Sequence, residues 1–328
     1  MQLTGKQRDL LARVTDALER SRRATQLDTT EVPPQLLAEL IESDVEDVVL
    51  VGLHVSSLLS PEYPLAPLLR RGPFARNYAR DIVANFSASM EVTALGDRTG
   101  QLEQQWRDFP ELLDVVKASL QALSQPTPAT AGPPTATASP GVQALTVILH
   151  GTFAANQTWW RQGTSNFWAY INSRVPNVCG GQGAFSWSGA NNHAARVQAA
   201  GALVTWAGKQ TYQFLDIIAH SHGGNVCFLA SRMGLRIRKL IALGTPIRTE
   251  YPPDVRQIEL IHNVYSTHDH VQTPTGTLPN RRGEGRSLGD AANVINHRAA
   301  DDGHGGQPGH TDLHEKDTWV ASSLDPLL

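Results

Sequence analysis

The chain has 328 residues, and its 28 Lys and Arg against 31 Asp and Glu give a formal net charge of -3. The basic side chains are scattered along the sequence, which argues against a nucleic-acid partner held by phosphate neutralisation. Hydrophobic residues make up 41% and charged residues 18% of the chain, the balance of a folded protein with a large interior. Cys179 and Cys227 are too few for a disulfide scaffold or a multi-cysteine zinc site.

The sequence carries no signal for a membrane. No apolar run approaches the roughly 20 residues that span a bilayer. The first residues, MQLTGKQRDLLARV, lack the apolar core of a signal peptide. We therefore expect a cytoplasmic protein without a transmembrane segment.

The segment 124–141 is almost wholly Pro, Thr, Ala, Ser and Gly, and it reads as an extended linker because this composition buries little apolar surface. Before it, apolar residues recur at helical spacing, whereas after it short β-rich runs alternate with helical stretches. We expect an all-helical domain over 1–123 and an α/β domain over 142–328.

In the first domain, Thr4 and Gln7 have the spacing of a capping box and open a helix. A second helix is expected to begin at Pro33-Pro34, because proline is tolerated in a first turn. Further helices are predicted over 44–59, 74–90 and 109–123. This half is loosely similar to the small adaptor domains that recruit bacterial effector enzymes, a resemblance that implies a protein partner.

The second domain opens with a β-branched apolar run, Ala144 to Leu149, typical of a strand buried on both faces. Crossover helices are predicted over 192–208 and 223–234, so the fold class is α/β with a doubly wound, mostly parallel sheet. Functional residues then belong beyond the carboxyl ends of the strands. The later strands are predicted at Ala184–Ser188, Phe214–Ala219, Lys239–Leu243 and Ile258–Ser266.

The sharpest motif is Asp216 to Gly224, DIIAHSHGG, in which a buried strand runs into a tight turn at Ser221 and then into a helix. A serine at such a junction is held in a strained turn that lifts its hydroxyl clear of the sheet, and its neighbours must be small. The pattern is that of a nucleophile elbow.

With this elbow, residues 144–320 resemble the α/β-hydrolase superfamily and, within it, the lipase-like serine esterases. The first small residue of the elbow is Ala219, where the family usually has Gly. His150-Gly151 looks like the loop that completes the family's oxyanion hole. The resemblance implies that the hole is formed by backbone N–H groups, those of His222 and of Phe153 or Thr152.

The family's chain order is serine, acid, histidine, and the resemblance assigns the remaining partners by that order. Asp269 follows the predicted strand 258–266 and is the expected acid. His310 lies on a loop before the last helix and is the expected base, with His314 in reserve. The chemistry would be hydrolysis of carboxylic esters, of lipids or other apolar substrates, through an acyl-enzyme.

Aromatic residues crowd the segment after His150-Gly151. Trp159 and Trp160, with Trp187 at the end of a predicted strand, are candidates for the wall of an apolar substrate pocket, and helix core is the alternative for this cluster.

Two other functions stay open. Eleven of the twelve histidines fall in the second half, so a metal-dependent hydrolase could use His268, His270, His310 and His314. The other is a non-catalytic α/β-hydrolase scaffold used for binding. No dinucleotide fingerprint or phosphate loop is present, and we expect no cofactor.

Overall fold

The computed structural model describes residues 3–21, 32–56, 78, 144–163, 166–248, 250–272, 286–289 and 291–328. The described residues divide into two compact units. One contains those up to Tyr78 together with Ser188–Asn192, and the other contains the rest from Ala144 onward. The linker at 124–141 lies outside the described residues, and the domain boundary there remains a prediction.

Three helices of the first unit are described, and each lies where the sequence predicts one. The capping box at the start of the first is formed, because Gln7 N donates to Thr4 Oγ1 at 3.2 Å and Thr4 N donates to Gln7 Oε1 at 2.9 Å. Of the helix expected over 74–90, only Tyr78 is described, and it is helical. The helix expected over 109–123 lies outside the described residues, so the all-helical domain as a whole stays a prediction. The bounds are α1 Gly5–Ser21, α2 Pro34–Ile41 and α3 Glu46–Ser56.

A glycine allows α2 and α3 to pack closely. A Cβ on Gly52 of α3 would lie 2.9 Å from Leu40 Cβ and 3.1 Å from Ile41 Cγ1 of α2. Both α2 residues are fully buried. Leu40 and Ile41 therefore lie on the face of α2 that contacts α3.

The second unit is a five-stranded parallel sheet with helices, and its strands lie side by side in chain order. Single turns of 3₁₀ helix occur at Gly181–Gly183, Thr311–His314 and Asp325–Leu327. The strands are β1 Ala144–Leu149, β2 Phe214–His220, β3 Ile237–Leu243, β4 Ile258–Tyr265 and β5 Val294–Arg298. The helices are α4 Asn166–Asn172, α5 His193–Ala207, α6 His222–Arg232 and α7 Lys316–Ala321.

Helices cover both faces of the sheet. Successive residues of a strand point to opposite faces, so one strand contributes to the core on each side. Val147 and Leu149 lie in a core cluster with residues of α5 and α6. Ile148 lies in a second cluster with residues of α4 and α7. The strands β1 and β2 are therefore apolar on both faces, as their runs predict.

The direction of winding reverses at β1. One edge of β1 pairs with β2, and on the other edge Cys179 N donates to Thr146 O at 2.7 Å, forming a parallel bridge between Thr146 and Val178. The chain reaches that bridge through α4 on one face and leaves it through α5 on the other. In open α/β sheets a ligand crevice forms outside the strand ends where the winding reverses. The carboxyl ends of β1 and β2 are therefore the place to look for a site.

The sequence prediction of a strand at Ala184–Ser188 is wrong. Phe185 and Trp187 are buried and alternate with exposed serines, which is the burial pattern of a strand, but the segment pairs with no neighbouring strand that the structure describes. The Trp187 N–H instead faces His150 Nε2 at 3.4 Å. In the other direction, the sequence prediction missed β5, an edge strand with a largely polar and exposed pattern. Among the described residues, no helix is long and apolar enough to cross a membrane.

Candidate active site

Ser221 lies in a sharp turn between β2 and α6. Its backbone angles, φ 53° and ψ -134°, belong to a region that residues other than glycine seldom adopt. Its amide N–H donates to the Leu243 carbonyl oxygen of β3 at 2.8 Å, which ties the turn to the neighbouring strand. The strand, strained turn and helix that the sequence predicts around this serine are all present.

Glycines bring the loop after β1 into backbone contact with this turn. A Cβ on Gly151 would lie 2.6 Å from Ser221 Cβ, and a Cβ on Gly223 would lie 2.7 Å from the His150 carbonyl oxygen. Real Cβ atoms do not approach so closely. The two loops therefore meet only because both positions are glycine, as the small-residue pattern indicates.

Asp269 and His310 form a buried pair although 41 residues separate them. His310 Nδ1 lies 2.8 Å from Asp269 Oδ2, and the two side chains are 4% and 0% exposed. The other carboxylate oxygen accepts the backbone N–H groups of Val271 and Gln272 at 3.0 and 2.9 Å. Because three donors suit an ionised carboxylate, the ring proton of His310 belongs on Nδ1, and the lone pair remains on Nε2.

A glycine after β3 makes room for this pair. Gly244 has φ 56°, and a Cβ there would lie 2.9 Å from Asp269 Oδ2 and 3.2 Å from His310 Nδ1. Gly244 directly follows Leu243, the residue that holds the Ser221 amide. The sequence analysis did not single out this glycine. Its signal was a Gly-Thr-Pro run directly after a predicted strand.

The serine turn and the histidine loop also contact each other through His220. Its Nε2 lies 3.0 Å from the His310 carbonyl oxygen, and the two ring centroids are 4.5 Å apart. Burial lowers the pKa of His220 well below its usual value, so the ring is neutral. Ser221 follows the carboxyl end of β2, Asp269 lies beyond that of β4, and His310 lies on the last loop before α7. The contacts above make these loops neighbours.

The predicted oxyanion residues lie on the two loops that flank Ser221. Phe153 is fully buried with φ 57°, a second strained position. His222 opens α6, and its ring Nδ1 accepts a hydrogen bond of 2.9 Å from Asn225. This bond turns the His222 side chain toward the helix. The backbone N–H roles of His222, Phe153 and Thr152 stay predictions.

His150 fixes the loop that carries Thr152 and Phe153. Its Nδ1 lies 2.9 Å from the Gly151 carbonyl oxygen, which only accepts, so the ring proton is on Nδ1. The Trp187 indole N–H donates to the His150 carbonyl oxygen at 2.9 Å. Burial lowers the pKa of His150 to about 4 and keeps it neutral. The loop after β1 is therefore held by hydrogen bonds of the neutral His150 ring with its proton on Nδ1.

The reserve base, His314, lies in the aromatic core. Its ring stacks on Trp159 with centroids 4.1 Å apart and an interplanar angle of 1°. Burial lowers the pKa of His314 to about 3. The hydrogen bond to the Asp269 carboxylate comes from His310, and the geometry therefore favours His310 over His314.

The three tryptophans proposed for a pocket wall are all buried. Trp159 contacts the rings of His314 and His220. Trp160 donates its indole N–H to the Ala154 carbonyl oxygen at 2.9 Å, and Trp187 supports His150 from the other side. These contacts support the loops of the site, and a pocket-lining role stays a prediction.

The histidines proposed for a metal do not converge in the described part of the chain. No group of three or more His, Cys, Asp or Glu with metal-binding geometry occurs among the described residues. His268 and His270 pack on each other with centroids 6.3 Å apart. His310 and His314 are held by the separate contacts given above.

Comparison with known proteins adds little to this geometry. No protein family model matches the chain, and no curated protein matches it. Among solved structures, a chain described as a novel cutinase-like protein from Cryptococcus sp. is similar with 10% identity and a TM-score of 0.31, over 58% of this chain and 94% of that chain. A likeness at this level carries no argument about activity, so the function is argued from the site itself.

Proposed function

We propose that the chain is a serine hydrolase of the α/β-hydrolase kind that cleaves carboxylic esters by acyl transfer. The observation that carries the proposal is the buried hydrogen bond of 2.8 Å between Asp269 and His310, set beside a strained serine at a strand-to-helix turn. Backbone strain costs free energy, and so does taking an ionic pair out of water, so the two features together are typical of a functional site. Their meeting at the reversal of winding supports a catalytic site.

The three residues have distinct roles. Ser221 Oγ attacks the ester carbonyl carbon while His310 Nε2 takes the hydroxyl proton, and the carbonyl π electrons move to the oxygen. Asp269 holds the Nδ1–H tautomer and stabilises the imidazolium that forms. The tetrahedral intermediate collapses with transfer of the proton to the leaving alcohol, and water then hydrolyses the acyl-serine by the same steps.

The developing oxyanion requires hydrogen-bond donors fixed in advance. We assign this role to the backbone N–H groups of His222 and of Thr152 or Phe153, whose loops meet at Gly151 and Ser221. The hydrogen bond from His150 to the Gly151 carbonyl oxygen supports this assignment, because it immobilises the planar peptide group that carries the Thr152 N–H. A fixed donor of this kind contributes about 3 to 4 kcal/mol to lowering the barrier.

The substrate class is an apolar ester, such as a lipid. The dense aromatic surroundings of the site support this choice, since Trp159, Trp160 and Trp187 all contact its loops. We assign to the segment 1–123, which the sequence predicts to be helical, the binding of a protein partner, on its resemblance to adaptor domains.

The decisive experiment is labelling with a fluorophosphonate, which reacts with an activated serine. We expect covalent labelling of the wild-type protein at Ser221, confirmed by peptide mass spectrometry, and cleavage of esters in a panel of increasing acyl length. Ser221→Ala abolishes both, with activity falling by at least about four orders of magnitude and the circular dichroism unchanged. Ser173→Ala, which changes an exposed helix-end serine, is the matched control and leaves both intact.

The alternatives predict different results. A non-catalytic scaffold is unlabelled and inactive on every ester. A metal-dependent hydrolase loses activity with a chelator and keeps it in Ser221→Ala. Retention of more than a tenth of wild-type activity in folded Ser221→Ala would overturn the proposal.

A further inference from the structure

The last residue of β2 makes a contact that the triad does not require. His220 precedes Ser221 in the chain, and its Nε2 lies 3.0 Å from the main-chain carbonyl oxygen of His310, 90 residues away. The side chain is buried. One imidazole therefore links the turn that carries the nucleophile to the loop that carries the base.

The chemistry of the contact fixes the state of the ring. A carbonyl oxygen only accepts hydrogen bonds, so His220 Nε2 carries the proton and donates. The ring is enclosed by His310, His314 and Trp159, at centroid distances of 4.5, 4.7 and 5.6 Å. Burial and the neighbouring histidines lower its pKa, so this donor persists as the neutral tautomer.

The base needs two restraints, and the structure supplies each from a different element. Asp269 fixes the rotation of the His310 ring through Nδ1. It leaves open where the main chain of the loop 309–314 lies relative to β2. The hydrogen bond from His220 sets that position at the residue adjoining Ser221.

We propose that His220 is a positioning residue, which anchors the backbone of His310 at the working distance from Ser221. The inference rests on the proposed function and adds a specific role to it. A displacement of about 1 Å between reacting groups reduces a rate roughly a hundredfold, so one hydrogen bond at this place affects kcat strongly. The same bond has little reason to change substrate binding.

The test compares two replacements. His220→Phe keeps a planar ring and removes the donor, whereas His220→Gln retains an N–H donor at a similar reach. His262→Phe is the matched control, because His262 is a mostly buried strand histidine that bonds His297 on β5 instead. Melting temperature and circular dichroism establish that each variant is folded.

We expect kcat to fall about 10- to 100-fold in His220→Phe with KM within about threefold of wild type. His220→Gln restores kcat to within about fivefold of wild type, and His262→Phe leaves kcat and KM unchanged. The second readout needs no substrate: the proton NMR signal of the His310 Nδ1–H, shifted downfield by its hydrogen bond to Asp269, is assigned by its loss in His310→Ala. It is present in wild type and His220→Gln, and broadened or shifted in His220→Phe.

The two readouts separate this inference from the proposed function. An unchanged signal and an unchanged kcat in folded His220→Phe overturn the positioning role. Equal losses in folded His220→Gln and His220→Phe overturn it as well, because the donor then does not matter. If the wild-type protein cleaves no ester, the proposed function fails, and the NMR signal still decides whether His220 positions His310.

Discussion

Two buried carboxylates, one within the sheet and one beyond its carboxyl end, have different partners. Asp216, within β2, accepts two hydrogen bonds from the guanidinium of Arg238 on β3, one of them 2.8 Å long. Asp269, beyond the end of β4, accepts from His310 and from two backbone N–H groups. Both carboxylates are almost inaccessible to solvent.

The difference shows what sets the carboxylate of the proposed triad apart from a structural one. A guanidinium stays protonated throughout the working pH range, so the Asp216–Arg238 pair has a single state and serves only to join two strands. An imidazole has a donor on one ring nitrogen and an acceptor on the other, so His310 bonds Asp269 through Nδ1 and keeps Nε2 as a proton acceptor. Burial is common to both pairs. The histidine partner and the strained loops around it distinguish the Asp269–His310 pair from the Asp216–Arg238 pair.

The largest expected effect tests this contrast directly. Asp269→Asn should lower kcat by about a thousandfold, because the amide no longer stabilises the His310 imidazolium or its Nδ1–H tautomer, and His310→Ala should be more damaging still. Asp216→Asn should leave kcat unchanged and lower the free energy of unfolding by about 1 to 2 kcal/mol, since Arg238 is partly exposed. Steady-state kinetics and urea unfolding measure the two effects.

A reversed result would remove the contrast. Loss of activity in Asp216→Asn with full activity in Asp269→Asn would show that the carboxylate needed for activity is Asp216 and not Asp269.

A smaller effect is expected at the glycine that makes room for the pair. Gly244→Ala combines a strained φ with a Cβ 2.9 Å from Asp269 Oδ2, so it should displace the carboxylate and lower kcat about 10- to 100-fold. Gly201→Ala in α5 has open space around the new methyl group and should keep full activity and gain slightly in stability. Equal activities for both variants would show that the pair tolerates displacement.

The buried histidines give the site a dependence of stability on pH. The pKa of His314 is about 3 in the folded protein and 6.5 when unperturbed. Below pH 6.5 the unfolded chain therefore binds more protons than the folded one, and the free energy of unfolding decreases as the pH is lowered. His314→Phe keeps a ring against Trp159 and removes this proton uptake. Between pH 7 and pH 4 the variant should lose about 3 kcal/mol less stability than wild type. Urea unfolding of both proteins at both pH values provides the measurement. An equal loss of stability in the variant and in wild type would contradict the prediction.

The smallest effect concerns the chain before residue 142. Every residue assigned to chemistry lies in 142–328, so this fragment should fold and hydrolyse a small soluble ester at close to the full-length rate. The segment 1–123 alone should show a helical spectrum and cooperative melting. An insoluble or inactive 142–328 fragment would mean that the preceding segment completes the core or the site.

Local chemistry made much of the site predictable. Ser221 is recognisable because strand, turn and helix are adjacent in sequence, and the strand bounds at β1 and β2 follow from short apolar runs. Asp269 and His310 came from chain order, an argument taken from a resemblance, and the structure joins them.

Long-range packing set the limits of prediction. The strand β5 escaped notice because an exposed edge strand, with Ile295 44% exposed, has no apolar run to reveal it. The alternating pattern at Phe185 and Trp187 correctly indicated that both side chains are buried. It could not show whether a neighbouring strand pairs with this segment, because that depends on distant parts of the chain. The contact between His220 and the His310 carbonyl joins residues 90 positions apart and has no local signature.

The strained backbone at Ser221 has a consequence for how this chain can change over time. Glycine adopts φ 53° without penalty, so Ser221→Gly should raise the free energy of unfolding by about 1 kcal/mol while destroying the proposed activity. Stability alone therefore favours the silent protein over the working one. Only a function of the serine hydroxyl, such as the proposed one, offsets this preference for glycine.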